Sequence, residues 1–396
     1  MVREWVLGII IPLLIFFLCC SPAAARGGDQ VLNQEEIIKE QLHMLELDEI
    51  EALIGDINRQ AAAYVPELSL GDLISRVIRG QEAFNVGDLI GGLLQYLFKE
   101  VVANSRLLGQ LLLLAVIAAI LNNIQQAFAP QGVGQVAYSV CFLVLLALSV
   151  QTFGIALAAG QDAIEKMVTF MQALLPLLLT LLTAVGGVAS AAVFHPLLFM
   201  IISVLATLIK STIFPLIYIA AVLTIVSQLS PGVSISRLAS LIQEASVALL
   251  GIIISIFIGV LVVQGVAASV SDGVSIRTVK FLAGTLVPLV GKMLADTIDA
   301  IAGCSLLLKN AIGIVGVIAV ILLCAFPILK LASLIIIYKV AAAVIQPITE
   351  GRLTQCLNSL ANSLTVVLVS VATVGVMFFM TITIVIGIGN MTVMLR

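Results

Sequence analysis

Residues 247–270 read VALLGIIISIFIGVLVVQGVAASV and contain no charged side chain. An apolar run of about 20 residues is long enough for a helix to cross the hydrocarbon core of a bilayer. The whole chain has the same bias, since 61% of its 396 residues are hydrophobic and 10% are charged. Soluble domains carry roughly a quarter charged residues, so this composition predicts an integral membrane protein.

Similar apolar runs recur along residues 106–396, which we interpret as a polytopic membrane domain. We expect an all-α fold with about seven or eight spans, because each run has the length of a membrane helix. The count stays open because the runs around Pro196 and Pro215 could instead form half-helices. The predicted spans are Leu107–Phe128, Val136–Ala158, Met167–Val185, Ala189–Ile209, Thr212–Leu229, Val247–Val270, Ala311–Ile337 and Leu364–Ile388.

Residues 1–25 have the organisation of a secretory signal peptide. Arg3 precedes the apolar core WVLGIIIPLLIFFLCC, and Ala23 and Ala25 form the small-residue pattern that signal peptidase recognises. We expect cleavage after Ala25. The alternative is an uncleaved membrane anchor, because the apolar core is almost long enough to span a bilayer. In either case the following segment begins outside the cytoplasm.

Residues 26–105 form that segment, and they hold 14 of the 22 acidic residues of the chain. Apolar residues follow helical spacing in two places: first Leu47, Ile50, Leu53, Ile54 and Ile57, and then Leu89, Ile90, Leu93, Leu94, Leu97 and Phe98. We predict a small helical extracytoplasmic segment whose apolar stripes pack on each other, on the membrane surface or on a partner. The alternative is a solvated helical hairpin without a binding role.

Small residues form a second pattern within residues 247–270. Gly251, Ser255 and Gly259 are spaced by four residues and therefore lie on one face of a helix. Small side chains allow another helix to approach closely, which promotes helix association in lipid. We predict a helix-packing face here, with chance alignment in a glycine-rich chain as the alternative.

The stretch KFLAGTLVPLVGKMLADTIDA, residues 280–300, places charges inside an apolar run. If it is helical, Lys292, Asp296 and Asp299 share a face because they are spaced by four and three residues. Charges at membrane depth are costly, so this face should meet a partner helix, water or the interface. Small residues and a proline predict a backbone break in the same stretch. The residues of this predicted break are Gly284, Pro288 and Gly291.

Three interpretations of residues 280–300 remain open. The stretch is a re-entrant or interfacial element that lines an aqueous path, a surface-lying amphipathic helix of structural value, or a proton- or ion-coupling site. Coupling would be expected to recruit further intramembrane carboxylates, and the sequence offers Glu244 as the one candidate.

Residue types needed for common enzyme chemistry are scarce. The two histidines, His43 and His195, are far apart in the sequence, which argues against a histidine-rich metal site. The sequence contains neither a G-x-x-x-x-G-K-[ST] phosphate-binding loop nor an H-E-x-x-H motif. We interpret the cysteines beyond the signal peptide as small buried residues rather than disulfides. We therefore expect no enzymatic activity, no cofactor and no metal.

Two stretches resemble the stage III sporulation protein AE family of endospore-forming bacteria. The first is DGVSIRTVKFLAGTLVPLVGKMLADTIDAIAGCSLLLKNAIG, residues 272–313, and the second is YLFKEVVANSRLLGQLLLLAVIAAILNNIQQAF, Tyr96–Phe128. The signal peptide and the overall plan are also similar, so the resemblance extends over nearly the whole chain.

The resemblance implies a multi-pass subunit of a secretion-like channel complex in the mother-cell membrane around the engulfed forespore. The implied partners are other membrane proteins and ring-forming proteins of this complex, a cytoplasmic ATPase and the lipid bilayer, with no nucleic acid. The implied role is to sustain late, forespore-specific sigma factor activity. The acidic segment would then project into the space between the two membranes.

An autonomous secondary transporter is the alternative function, with Lys292, Asp296 and Asp299 at its substrate or ion site. Many transporters have two related halves with matching broken segments. Residues 280–300 have no convincing counterpart earlier in the chain, apart from the regions of Pro196 and Pro215. The sequence therefore favours a subunit that works with partners.

Overall fold

The computed structural model describes residues 48–61, 69–79, 81, 86–127, 133–229, 235–286, 290–347 and 351–394. Within these ranges the regular secondary structure is helical, which confirms the predicted all-α fold. The helices are α1 (Asp48–Ala61), α2 (Leu70–Ile78), α3 (Val86–Ala103), α4 (Ser105–Ala127), α5 (Val133–Ala184), α6 (Val188–Leu208), a π-helical turn (Ile209–Ile213), α7 (Phe214–Leu229), α8 (Ser236–Leu286), α9 (Val290–Ile345) and α10 (Arg352–Met394). The predicted signal peptide, residues 1–25, lies outside these ranges, so its cleavage stays a prediction.

Six helical stretches of the described residues are long and apolar enough to cross a membrane. They are Gly87–Ala118, Ser139–Ala184, Val188–Ser227, Ser236–Gln264, Ala300–Ile345 and Leu353–Asn390. The sequence analysis counted Val136–Ala158 and Met167–Val185 as separate spans, and likewise Ala189–Ile209 and Thr212–Leu229, and it left the count at seven or eight. In the structure α5 continues through Asp162, and the π-helical turn joins α6 to α7 at Lys210. Unlike proline, these residues keep a backbone N–H for helical hydrogen bonding, so a charge ends an apolar run without ending the helix.

The two longest described helices are much longer than a membrane is thick. α5 has 52 residues and α9 has 56. At a rise of about 1.5 Å per residue their lengths are about 78 and 84 Å. The hydrocarbon core of a bilayer is about 30 Å thick, so a perpendicular crossing takes up less than half of either helix.

Helices α5, α9 and α10 form the centre of the bundle. α5 and α9 are antiparallel: Tyr338 of α9 donates a hydrogen bond to the Ser149 carbonyl at 3.0 Å, whereas Gly316 of α9 faces Leu174 further along α5. A Cβ at Gly316 would lie 2.5 Å from Leu174 Cδ2, so the Leu174 side chain occupies the space that a larger residue at 316 would need.

α10 is antiparallel to α9 and also meets it at glycines. A Cβ at Gly313 of α9 would lie 2.5 Å from Ile386 Cγ1, and a Cβ at Gly375 of α10 would lie 2.6 Å from Cys324 Sγ. Real Cβ atoms do not approach other atoms this closely, because close-packed interiors leave no room for an added methyl group. Small residues therefore determine the spacing of the central helices, as expected where helices associate in lipid.

The apolar stripe predicted for the first helix is confirmed at Ile50, Leu53, Ile54 and Ile57, whereas Leu47 lies outside the described residues. α1 and α2 pack on the central bundle through one face each. Ser69 caps the start of α2, and its hydroxyl accepts a hydrogen bond from the Asp72 N–H at 3.4 Å. The buried apolar residues of α1 and α2 are Ile50, Ile54, Ile57, Leu73 and Ile74. Helical periodicity thus identified the buried face of α1 from the sequence.

The second predicted stripe is wrong in part. Leu89 and Leu93 pack against the core, but Ile90, Leu94 and Phe98 of the same predicted stripe are exposed. The buried face also uses Tyr96, whose ring meets the Phe326 ring edge-on at a centroid distance of 5.0 Å. α3 belongs to a candidate span, Gly87–Ala118, and a helix that is apolar on most sides does not reveal its buried face by periodicity. That span straddles the predicted domain boundary at residue 105, which stays a prediction.

Candidate functional site

The predicted charged face lies at the start of α9. The helix begins at Val290, so helical spacing places Lys292, Asp296 and Asp299 on one face of its first turns. Their side chains lie outside the described part of the structure, and their role stays a prediction.

Two of the three residues of the predicted backbone break lie inside helices. α8 ends at Leu286, beyond Gly284, and α9 begins at Val290, before Gly291. Pro288 lies outside the described residues, so the geometry of the break also stays a prediction.

The predicted small-residue face of α8 lies on the outside of the described bundle. The Ser255 hydroxyl donates to the Gly251 carbonyl at 2.8 Å, which satisfies it within the helix. A Cβ added at Gly251 or Gly259 would have no described atom within 4 Å. No described atom thus crowds the two glycines, and the predicted close approach of another helix stays a prediction.

Sequence reasoning missed a buried charged side chain, Lys309 of α9. This lysine is fully buried, with 0% of its surface exposed. Its Nζ donates to the Ile386 carbonyl at 2.9 Å and to the Val385 carbonyl at 3.5 Å, both on α10. The Lys309 side chain thus links α9 to α10 through backbone carbonyls. Ionisable side chains buried in membrane helices commonly serve function, because burying them is costly.

Gly389 of α10 makes room for this lysine. A Cβ at position 389 would overlap the Lys309 Nζ, would lie 2.8 Å from Lys309 Cε and would lie 3.3 Å from Leu182 Cδ1 of α5. The ammonium group therefore occupies the volume that any larger residue at 389 would need. Three helices, α5, α9 and α10, enclose it.

Two asparagines extend the polar contact. Asn310 Nδ2 donates to Asn390 Oδ1 at 3.0 Å, again between α9 and α10. Among the described residues the Asn310 Oδ1 is a buried acceptor without a hydrogen-bond donor. We call Lys309, Asn310, Gly389 and Asn390 the lysine cluster. The sequence signal was a lysine-asparagine pair at the edge of the predicted span Ala311–Ile337, but it gave no hint of the partner helix.

A second polar site lies where α5 meets the π-helical turn. Lys210 of this turn pairs with Glu165 of α5, and Asp162 pairs with Lys166 one turn along α5 at 2.8 Å. π-helical turns are rare and frequently occur at functional sites. These side chains are partly exposed, so their charges can meet water, lipid head groups or another subunit. We call them the ion-pair site.

Comparison with known proteins now adds to these observations. A model of the stage III sporulation protein AE family matches residues 68–389, from the beginning of α2 to the lysine cluster. The chain belongs to the stage III sporulation protein AE family. A curated member, the stage III sporulation protein AE of Bacillus subtilis (strain 168), is 38% identical over 373 residues. That alignment covers 94% of this chain and 93% of the relative. No solved protein structure matches the chain.

Membership confirms the resemblance seen in residues 272–313 and Tyr96–Phe128. It supports a role in sporulation for a multi-pass membrane protein. Within the family match lie the predicted charged face, the ion-pair site and Lys309.

Proposed function

We propose that this protein is a membrane subunit of a multiprotein, secretion-like channel between mother cell and forespore. In this proposal it lies in the mother-cell membrane around the engulfed forespore and is required for late forespore-specific sigma factor activity. It acts with other membrane and ring-forming proteins and depends on a cytoplasmic ATPase for energy. It needs no cofactor and catalyses no reaction of its own.

The observation that supports a role as one subunit of a complex is the unequal burial of the apolar helices. In the most apolar window of Leu353–Asn390, 56% of residues are buried within the chain, against 28% for Ser236–Gln264 and 17% for Gly87–Ala118. The helices around the centre therefore present most of their apolar surface outward. In a membrane such surface contacts lipid or the helices of other subunits, and the small-residue face of α8 suits a close helix contact.

Affinity purification tests this proposal. The tagged protein is extracted from sporulating cells in a mild detergent, and the proteins that remain bound are identified by mass spectrometry. We expect the ring-forming proteins, the ATPase and further small membrane proteins. Recovery of this protein alone, under conditions that keep a control membrane complex intact, would contradict the proposal and favour an autonomous transporter. Flux measurements in liposomes would then test transport by the isolated chain.

A matched control separates assembly from insertion. The Gly259→Leu variant introduces a large side chain into the exposed small-residue face of α8. The Gly303→Leu variant introduces the same side chain on α9, where a Cβ would also have no described atom within 4 Å. Loss of partners in the first variant, with normal membrane insertion of both, would place a subunit contact on α8.

A further inference from the structure

α1 lies against a part of the bundle that is free of charged residues. Ile50 of α1 lines one apolar cleft together with Phe170 and Leu174 of α5 and with Ile312 and Gly316 of α9. This part of α1 therefore lies beside the apolar bundle and not beyond its end, and the neighbouring α2 packs on α9 as well.

The charge-free segments at this depth match the thickness of a bilayer. Residues 167–209 contain no Asp, Glu, Lys or Arg, and the chain turns back at Val185–Gly187. The two arms, 167–184 and 188–209, are about 27 and 33 Å long, close to the hydrocarbon core of about 30 Å. The ion-pair site lies at one end of this hairpin and the turn lies at the other. Ile50 thus contacts the part of α5 that is best suited to membrane depth.

The opposite faces of α1 and α2 are polar. Glu49 and Glu51 flank the buried Ile50, and Asp72, Ser75 and Arg76 surround the buried pair of α2. These five side chains are exposed in the described structure. Charged groups at this depth are costly in lipid and occur where they meet water or a partner.

Another side of the bundle is apolar at the same depth. Gln172 of α5 donates a hydrogen bond to the Ser203 hydroxyl of α6 at 3.3 Å, which places this part of α6 level with Phe170. The neighbouring α6 side chains Met200 and Val204 are 56% and 50% exposed. α6 packs on α5 and α8, whereas α1 and α2 pack on α5 and α9, so the two surfaces lie on different sides.

We propose that the exposed face of α1 and α2 lines a water-filled path at the depth of the bilayer, while α6 faces lipid. This inference rests on the proposed function and names the part of the chain that lines the proposed channel. In this arrangement the apolar face of each helix is buried against the bundle, and the charged face on the other side is hydrated. A single chain shows one wall of such a path, and further subunits would close it.

Cysteine accessibility tests the inference in the full chain. The four cysteines outside the signal peptide are replaced by alanine, and the variant is first shown to sporulate. Single cysteines are then introduced as Glu51→Cys and Asp72→Cys on the polar face, and as Met200→Cys and Val204→Cys on α6. Membranes from sporulating cells are opened by freezing and thawing, so that a charged, water-soluble maleimide reaches both sides.

We expect labelling at positions 51 and 72 before any detergent is added, and labelling at 200 and 204 only after SDS is added. Labelling of all four positions would show that this depth lies outside the bilayer, and it would overturn the inference. Protection of positions 51 and 72 would also overturn it, because these faces would then be covered by lipid or by protein. The proposed function is judged separately by the recovered partners, so either idea can fail while the other stands.

Discussion

Substitution of Gly389 by alanine tests the lysine cluster directly. The new Cβ would occupy the position of the Lys309 Nζ and would push the ammonium group away from the Ile386 carbonyl, which it now reaches at 2.9 Å. Inserting a methyl group into a packed site costs about 1–3 kcal/mol, whereas alanine in place of glycine within a helix gains about 0.5–1 kcal/mol. We therefore expect Gly389→Ala to lower the free energy of unfolding by about 0.5–2 kcal/mol.

Two variants serve as controls. Gly387 lies two residues away on α10, and a Cβ there would have no described atom within 4 Å, so Gly387→Ala should be neutral or stabilising. Lys309→Leu removes Nζ and Cε, the two lysine atoms that lie within 3.0 Å of the new Cβ. In that background Gly389→Ala should lose most of its penalty, because two substitutions that remove one contact are not additive.

The assay is SDS-induced unfolding of the purified protein in mixed micelles, followed by circular dichroism. All four combinations at positions 309 and 389 are compared at the same detergent composition, with Gly387→Ala alongside. If Gly389→Ala and Gly387→Ala have equal stability, or if the penalty at 389 persists with leucine at 309, the assigned contact between Lys309 and α10 is refuted.

Further substitutions test the other contacts. Gly313→Ala should destabilise the α9–α10 pair by about 1–3 kcal/mol through overpacking, while Gly303→Ala should not; equal SDS midpoints would contradict this. Lys292→Ala or Asp296→Ala should block late forespore gene expression, measured with a reporter, without affecting membrane insertion. Normal sporulation of both variants would leave the charged face without a functional role. Gly259→Leu should reduce crosslinking to neighbouring subunits, and an unchanged crosslinking pattern would remove the case for a packing face on α8.

Local patterns predicted the features that depend on neighbours in sequence. The length and composition of the apolar runs indicated a helical membrane protein, because a bilayer requires long runs in which the backbone hydrogen bonds are satisfied internally. The buried face of α1 was also predictable, since its polar and apolar residues alternate with the period of a helix. Two stretches of sequence were specific enough to indicate the family.

The same patterns failed where the faces of a helix differ little in polarity. α3 is apolar on most sides, so its sequence did not reveal that Tyr96 faces the core while Phe98 faces outward. The runs on either side of Lys210 were counted as separate spans, whereas the structure joins α6 to α7 through the π-helical turn.

By itself the sequence determined that this chain is a polytopic helical membrane protein of a sporulation family, because burial in lipid constrains composition and run length locally. Only the tertiary structure decided where its polar groups meet. Lys309 finds its carbonyl partners 76 and 77 residues further along the chain, and Gly389 leaves the space that it fills. Contacts of this kind depend on how the helices pack against one another, and helix packing is set by shape across the whole bundle and not by the neighbours of each residue.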